Sequence, residues 1–139
     1  MITEELKAIF AGQDVEGDVD VDGVLAAFDR LVERATVDDV PELIAAIQSL
    51  KNNFWTRELL SGPICHLDGP NHLEILFAAA QQGLDEGHDN DLFHFNLSEM
   101  ADLEPDKCRK KLMELLAQNN FRHREAAECL LEYCGTEKA

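Results

Sequence analysis

From residue 38 to residue 135 apolar side chains return at helical spacing in six successive runs. Leu43, Ile47 and Leu50 follow Pro41; Leu73, Leu76, Phe77 and Ala80 follow Pro70; Cys108, Leu112, Leu115 and Leu116 follow Pro105. Residues so spaced share one face of a helix, and a proline in the first turn loses no hydrogen bond, so the three prolines mark three helix starts. A second amphipathic run follows each after a polar turn: Leu60, Ile64 and Leu67; then Phe93, Leu97 and Met100; then Ala127, Leu130, Leu131 and Cys134. The turns are Asn52-Asn53, the stretch from Gly83 to Asn90, and Asn119-Asn120, all rich in residues that cap helices or accept turn geometry. The pattern predicts three helical hairpins, over 38–68, 69–103 and 104–135. Gly62-Pro63 inside the second run predicts a kink or break there.

Ahead of these units two more helices are expected, from about Thr3 to Ala11 with Leu6, Ile9 and Phe10 inward, and from about Asp22 to Ala35 with Val24, Leu25, Phe28, Leu31 and Val32 inward. An acidic link holding Gly12 and Gly17 joins them. Residues 1–37 then form a two-helix N-terminal cap, because the terminal unit of a stacked array is usually atypical.

The hairpins also repeat in sequence. Asn52-Asn53-Phe54-Trp55-Thr56-Arg57-Glu58 returns as Asn119-Asn120-Phe121-Arg122-His123-Arg124-Glu125, with Asn-Asn-Phe-x-x-Arg-Glu in common and the same place in two hairpins. With the run Phe121 to Ala127, in which a turn and an arginine precede small apolar residues, this resembles a HEAT-type helical repeat over about residues 38–135. The stretches Trp55 to Leu60, Leu67 to Pro70 and Gly87 to Asp91 further resemble small bacterial HEAT-like proteins, some of which are immunity proteins of polymorphic toxin systems. The resemblance implies an all-α fold, an α-solenoid of three stacked HEAT-like hairpins behind the two-helix cap, in a single domain.

Charge changes the picture most. The net charge is −16, and it is uneven: residues 1–106 carry 23 acids against 5 bases, residues 107–139 only 5 acids against 7 bases. Such a field repels nucleic acid and anionic membrane; it supports solubility and would also steer a basic protein partner inward. The longest apolar run, Ile75 to Ala80, is far too short to span a bilayer, and the acidic start lacks the pattern of an export signal. A cytoplasmic location is expected, with Cys65, Cys108, Cys129 and Cys134 reduced and acting mainly as small buried hydrophobes.

Stacking the hairpins in parallel would gather their turns on one edge, bringing Asn52, Trp55, Asp85, Glu86, His88, Asp89, Asp91 and Arg122 together. Trp55 is either an exposed anchor of the kind that dominates binding surfaces or an inward staple at the start of its helix. Arg57 and Arg124 are expected to form a ladder with the carboxylates of the middle turn, Asp89 or Asp91, and Asn90 or Asp91 to cap the helix that follows.

Metal chemistry is poorly supported by the sequence. Asp18-Val19-Asp20-Val21-Asp22-Gly23 has the acidic spacing and sixth-position glycine of a calcium loop, but Asp29 stands where a bidentate glutamate is wanted, so an acidic connector with a cap at Asp20 or Asp22 is favoured. The cysteines and histidines form no Cys-x-x-Cys pair, and neither a phosphate loop nor a nucleophile elbow nor His-Glu-x-x-His is present. The expected function is therefore non-enzymatic, without cofactor or metal: an immunity or antitoxin protein that covers a basic toxin such as a nuclease through Trp55, Asp85, Glu86, His88, Asp89, Asp91 and Arg122. The alternative is a HEAT-like scaffolding or regulatory adaptor for a cytosolic enzyme.

Overall fold

A computed structural model describes residues 2–13, 20–49 and 53–134. The chain is all-α. Among the described residues the α-helices are α1 (Thr3–Gln13), α2 (Val21–Arg34), α3 (Val40–Ile47), α4 (Phe54–Asp68), α5 (Leu73–Asp85), α6 (Asp91–Leu103), α7 (Pro105–Leu116) and α8 (Arg124–Tyr133), with 3₁₀ turns at Val37–Asp39 and Gly69–His72 and no strand. None of these helices is long and apolar enough to cross a membrane.

Local sequence accounts for four of the eight described helix starts. Asn53 Oδ1 accepts from the Thr56 backbone N–H at 2.9 Å while the Asn53 N–H donates to Thr56 Oγ1 at 3.2 Å, a reciprocal box that opens α4. Asp20 Oδ1 accepts from the Gly23 N–H at 3.1 Å and opens α2. Pro105 opens α7, and Pro41 is the second residue of α3. Pro70 behaves differently: it lies in the 3₁₀ turn, and α5 begins three residues later at Leu73. Gly69 at the head of that turn is buried against α6, where a Cβ would collide with Met100 Sδ.

Of the kink or break expected at Gly62-Pro63, the break does not occur: α4 runs as one element from Phe54 to Asp68 with Pro63 buried inside it. A proline costs a helix interior roughly 3 kcal/mol. Packing offsets this, since α4 is the most enclosed helix: it touches α3, α5 and α6, and nine of its residues are buried. Side chains also serve the backbone just ahead of the proline, the Ser61 hydroxyl donating to the Glu58 carbonyl at 2.6 Å.

One continuous core joins all eight helices. α1 packs on α2, α3 on α4 and α7 on α8, while α4 packs along α6 and α6 along α8. The middle pair is looser: α5 approaches α4 and α7 more closely than it approaches α6. The opening between α5, α6 and α8 is a groove of about 470 Å³ with Phe77, Ala80, Leu84, Leu97 and Leu130 in its walls.

Candidate binding edge at the α5–α6 turn

The α5–α6 turn is built by left-handed backbone at two points. Gly87 has φ +90° and Asn90 φ +60°, a region in which glycine is unstrained and asparagine is the usual alternative. These reversals return the His88 N–H to the Gly83 carbonyl at 3.0 Å, and the buried Asn90 amide donates to the carbonyl of Ala80. The backbone at the end of α5 is thereby satisfied, and the residues between are presented outward.

Two contacts from the start of α4 hold this turn. Arg57, 1% exposed, donates through Nη2 to Glu86 Oε1, and His88 stacks on Phe54 with ring centroids 3.6 Å apart and planes 15° from parallel. The expected ladder therefore has one rung, and its carboxylate is Glu86 rather than Asp89 or Asp91. The reason is geometric: Glu86 ends α5 next to α4, whereas Asp89 and Asp91 are exposed beyond it. Arg124 makes no rung. It reaches back to the Leu116 and Gln118 carbonyls at 2.7 and 2.9 Å, closing the end of α7 in its own hairpin.

Asn90 stands at the N-cap position of α6, but neither its side chain nor that of Asp91 caps the helix. Glu58 does so from the neighbouring helix: its Oε2 accepts from the backbone N–H groups of Leu92 at 3.0 Å and Phe93 at 3.3 Å. Alongside, Asn96 of α6 donates to Ser61 Oγ of α4 at 2.9 Å. A carboxylate at a helix N-terminus satisfies free donors and meets the positive end of the dipole. Glu58 escaped the sequence reading because it lies one residue past the conspicuous arginine, on a face that only the α4–α6 packing defines.

The residues expected on the edge fall into three groups. Asp85, Glu86, His88, Asp89 and Asp91 lie together on the α5–α6 turn; Asp85 accepts from the Gln81 side-chain amide at 2.9 Å, and Asp89 and Asp91 are exposed. Trp55 is half-buried and packs against the core, largely the inward of its two alternatives. Arg122 is exposed, but the adjoining Phe121 packs on Phe77 in mid-α5, so nothing ties Arg122 to the acids of the turn among the described residues. Phe54 and Phe121 are equivalent in the repeat yet take different aromatic partners, His88 in one case, Phe77 and His123 in the other. Asn52 lies outside the described residues, as do Asp18 and Val19 of the calcium-like stretch. From Val21 onward that stretch is helical, so Asp22 and Gly23 belong to the first turn of α2 rather than to a ligand loop.

Burial pushes the Cys65 and Cys108 thiols up to about 12, and raises that of Cys134 as well, whereas Cys129 on α8 is exposed. Three of the four cysteines thus lack the thiolate character that nucleophilic or metal chemistry requires. Compared with protein-family models, with curated proteins and with solved structures, the chain finds no match.

Proposed function

We propose that this chain is a non-enzymatic binding protein, a HEAT-like solenoid in outline, that covers a basic protein such as a toxin nuclease in the manner of an immunity protein. One observation carries the reading: Asp85, Asp89 and Asp91 are exposed on a turn fixed from α4 by the Arg57–Glu86 and Phe54–His88 contacts, and none of the three is in an ion pair among the described residues. A pre-formed acidic loop costs little ordering on association, and its field accelerates encounter with a cation. The experiment is copurification from the native host, followed by association kinetics with whichever basic partner is recovered. Asp85→Asn with Asp89→Asn and Asp91→Asn should slow association and flatten its salt dependence while barely changing dissociation. Association that ignores both salt and these substitutions overturns the edge as the binding surface.

The adaptor reading rests on a different feature, the groove between α5, α6 and α8, whose apolar walls suit a side chain or short segment of a partner enzyme. Under that reading substitution of Leu84 or Leu97, rather than of the turn acids, abolishes binding.

A further inference from the structure

α2 carries more apolar surface than its own packing uses. Val24, Ala27 and Leu31 are fully buried against the core. Val21, Leu25, Phe28 and Val32 form a second row at helical spacing, in which Val21 is 48%, Leu25 38% and Val32 51% exposed while Phe28 is half-buried. A helix turns about 100° per residue, which places this row beside the buried one and sets Asp22, Asp29 and Glu33 as a third row along its solvent side. Arg30 and Arg34 fall on the opposite flank. Arg34 bonds Glu5 of α1 at 2.6 Å, and the charge of Arg30 acts on the same carboxylate. The basic residues of α2 are thus directed toward α1, and the three acids are in no ion pair among the described residues.

We propose that this face of α2 docks an amphipathic helix of another protein whose apolar stripe is bordered by lysine or arginine. The charge pattern selects the occupant, since an apolar row with acids along one side is complementary to an apolar row with bases along one side. It disfavours a second copy of this chain: antiparallel self-pairing through the same row lays the two acidic rows next to each other. The row from Val21 to Val32 is also only about 16 Å long, enough for a docked helix of three turns but little beside the roughly 1,200 Å² or more of a stable protein pair. This surface does not depend on the α5–α6 turn.

The test uses the full chain and a labelled synthetic peptide of about six turns, with a leucine stripe flanked on one side by lysines, beside a control of identical composition whose order destroys the stripe. Fluorescence anisotropy should show the striped peptide binding about tenfold or more tightly than the control. Leu25→Ser with Val32→Ser should weaken binding by about tenfold. Asp29→Asn with Glu33→Gln should weaken it at low ionic strength and flatten its salt dependence, whereas the Asp85, Asp89 and Asp91 substitutions leave it unchanged. All of these side chains are exposed, and circular dichroism checks that each variant keeps its helices. Amide shifts of the unmodified chain give a readout independent of any variant, and they should move within residues 21–34. Equal binding of the control peptide, amide shifts confined to other helices, or a dimer of the chain that Leu25→Ser with Val32→Ser dissociates would each overturn the proposal.

Discussion

Glu58 shows how much can rest on a single buried carboxylate. It is 9% exposed, and its Oε2 accepts from two backbone donors at the start of α6. Glu58→Ala should destabilise the chain by about 2 kcal/mol, since the buried N–H of Phe93 and the partly buried N–H of Leu92 lose their acceptor, whereas Glu58→Gln keeps one acceptor oxygen and should cost about half as much. Urea unfolding of the two variants checks the order. Arg57 is the complementary case: its Nε and Nη1 have no hydrogen-bond partner among the described residues, so the buried cation depends on Glu86. Glu86→Ala should therefore destabilise by about 2 kcal/mol, while Arg57→Met, which removes the charge that needs compensation, should cost less. A larger loss for Arg57→Met would show that the pair is a net source of stability. The cysteines differ in the same local way. Native chain treated with a thiol reagent near pH 8 should lose Cys129 first, with Cys65, Cys108 and Cys134 protected until unfolding, as peptide mapping would report.

Among the elements, α1 and α2 illustrate how amphipathic pattern and ion pairing cooperate. Buried rows from both enter the same core, and Glu5 on α1 bonds Arg34 on α2. A backbone hydrogen bond at Glu5, and then Arg34, hold the Glu5 carboxyl below its usual value of 4.5, although desolvation works the other way. A carboxyl depressed by folding contributes stability above its unfolded pKa and loses that contribution as the pH falls through the lower, folded value. Glu5→Gln should thus be less stable than the parent at neutral pH, and the gap should close below about pH 4.5. Denaturation midpoints across pH 3 to 7 would show it; a gap independent of pH would mean that packing, not ionisation, is at stake. The helix boundaries around these elements were largely legible beforehand, because Asp20, Asn53, Pro41 and Pro105 signal by chemistry confined to one turn. That Pro63 does not interrupt α4 was not legible for the corresponding reason: its cost is local, but the packing that offsets it comes from three other helices.

Taken as a whole the molecule is a strongly anionic helical body, with a net charge of −16 and six lysine or arginine ion pairs among the described residues, most of them between near neighbours in sequence. Self-repulsion of that size opposes compaction, and about 0.1 M salt screens it between exposed charges more than about 10 Å apart. The melting temperature should accordingly rise with added sodium chloride, and the rise should shrink in a variant carrying Asp85→Asn, Asp89→Asn and Asp91→Asn. A melting temperature that falls with salt would instead place the balance with attractive pairs such as Arg34–Glu5.

Legible in the linear pattern were the helical class, the succession of eight amphipathic runs, the caps that open α2 and α4, and the grouping of Asp85, Glu86, His88, Asp89 and Asp91 on one turn. All of these follow from spacing and capping chemistry within about four residues, which a linear pattern records. The tertiary packing is what makes Arg57 meet Glu86, Glu58 cap α6 from another helix and Trp55 pack against the core, and what leaves Val21, Leu25 and Val32 exposed beside the half-buried Phe28. Those outcomes depend on the angle and depth at which helices meet, set by the summed packing of side chains remote in the chain, and a pattern of period 3.6 says which face is apolar without saying what covers it.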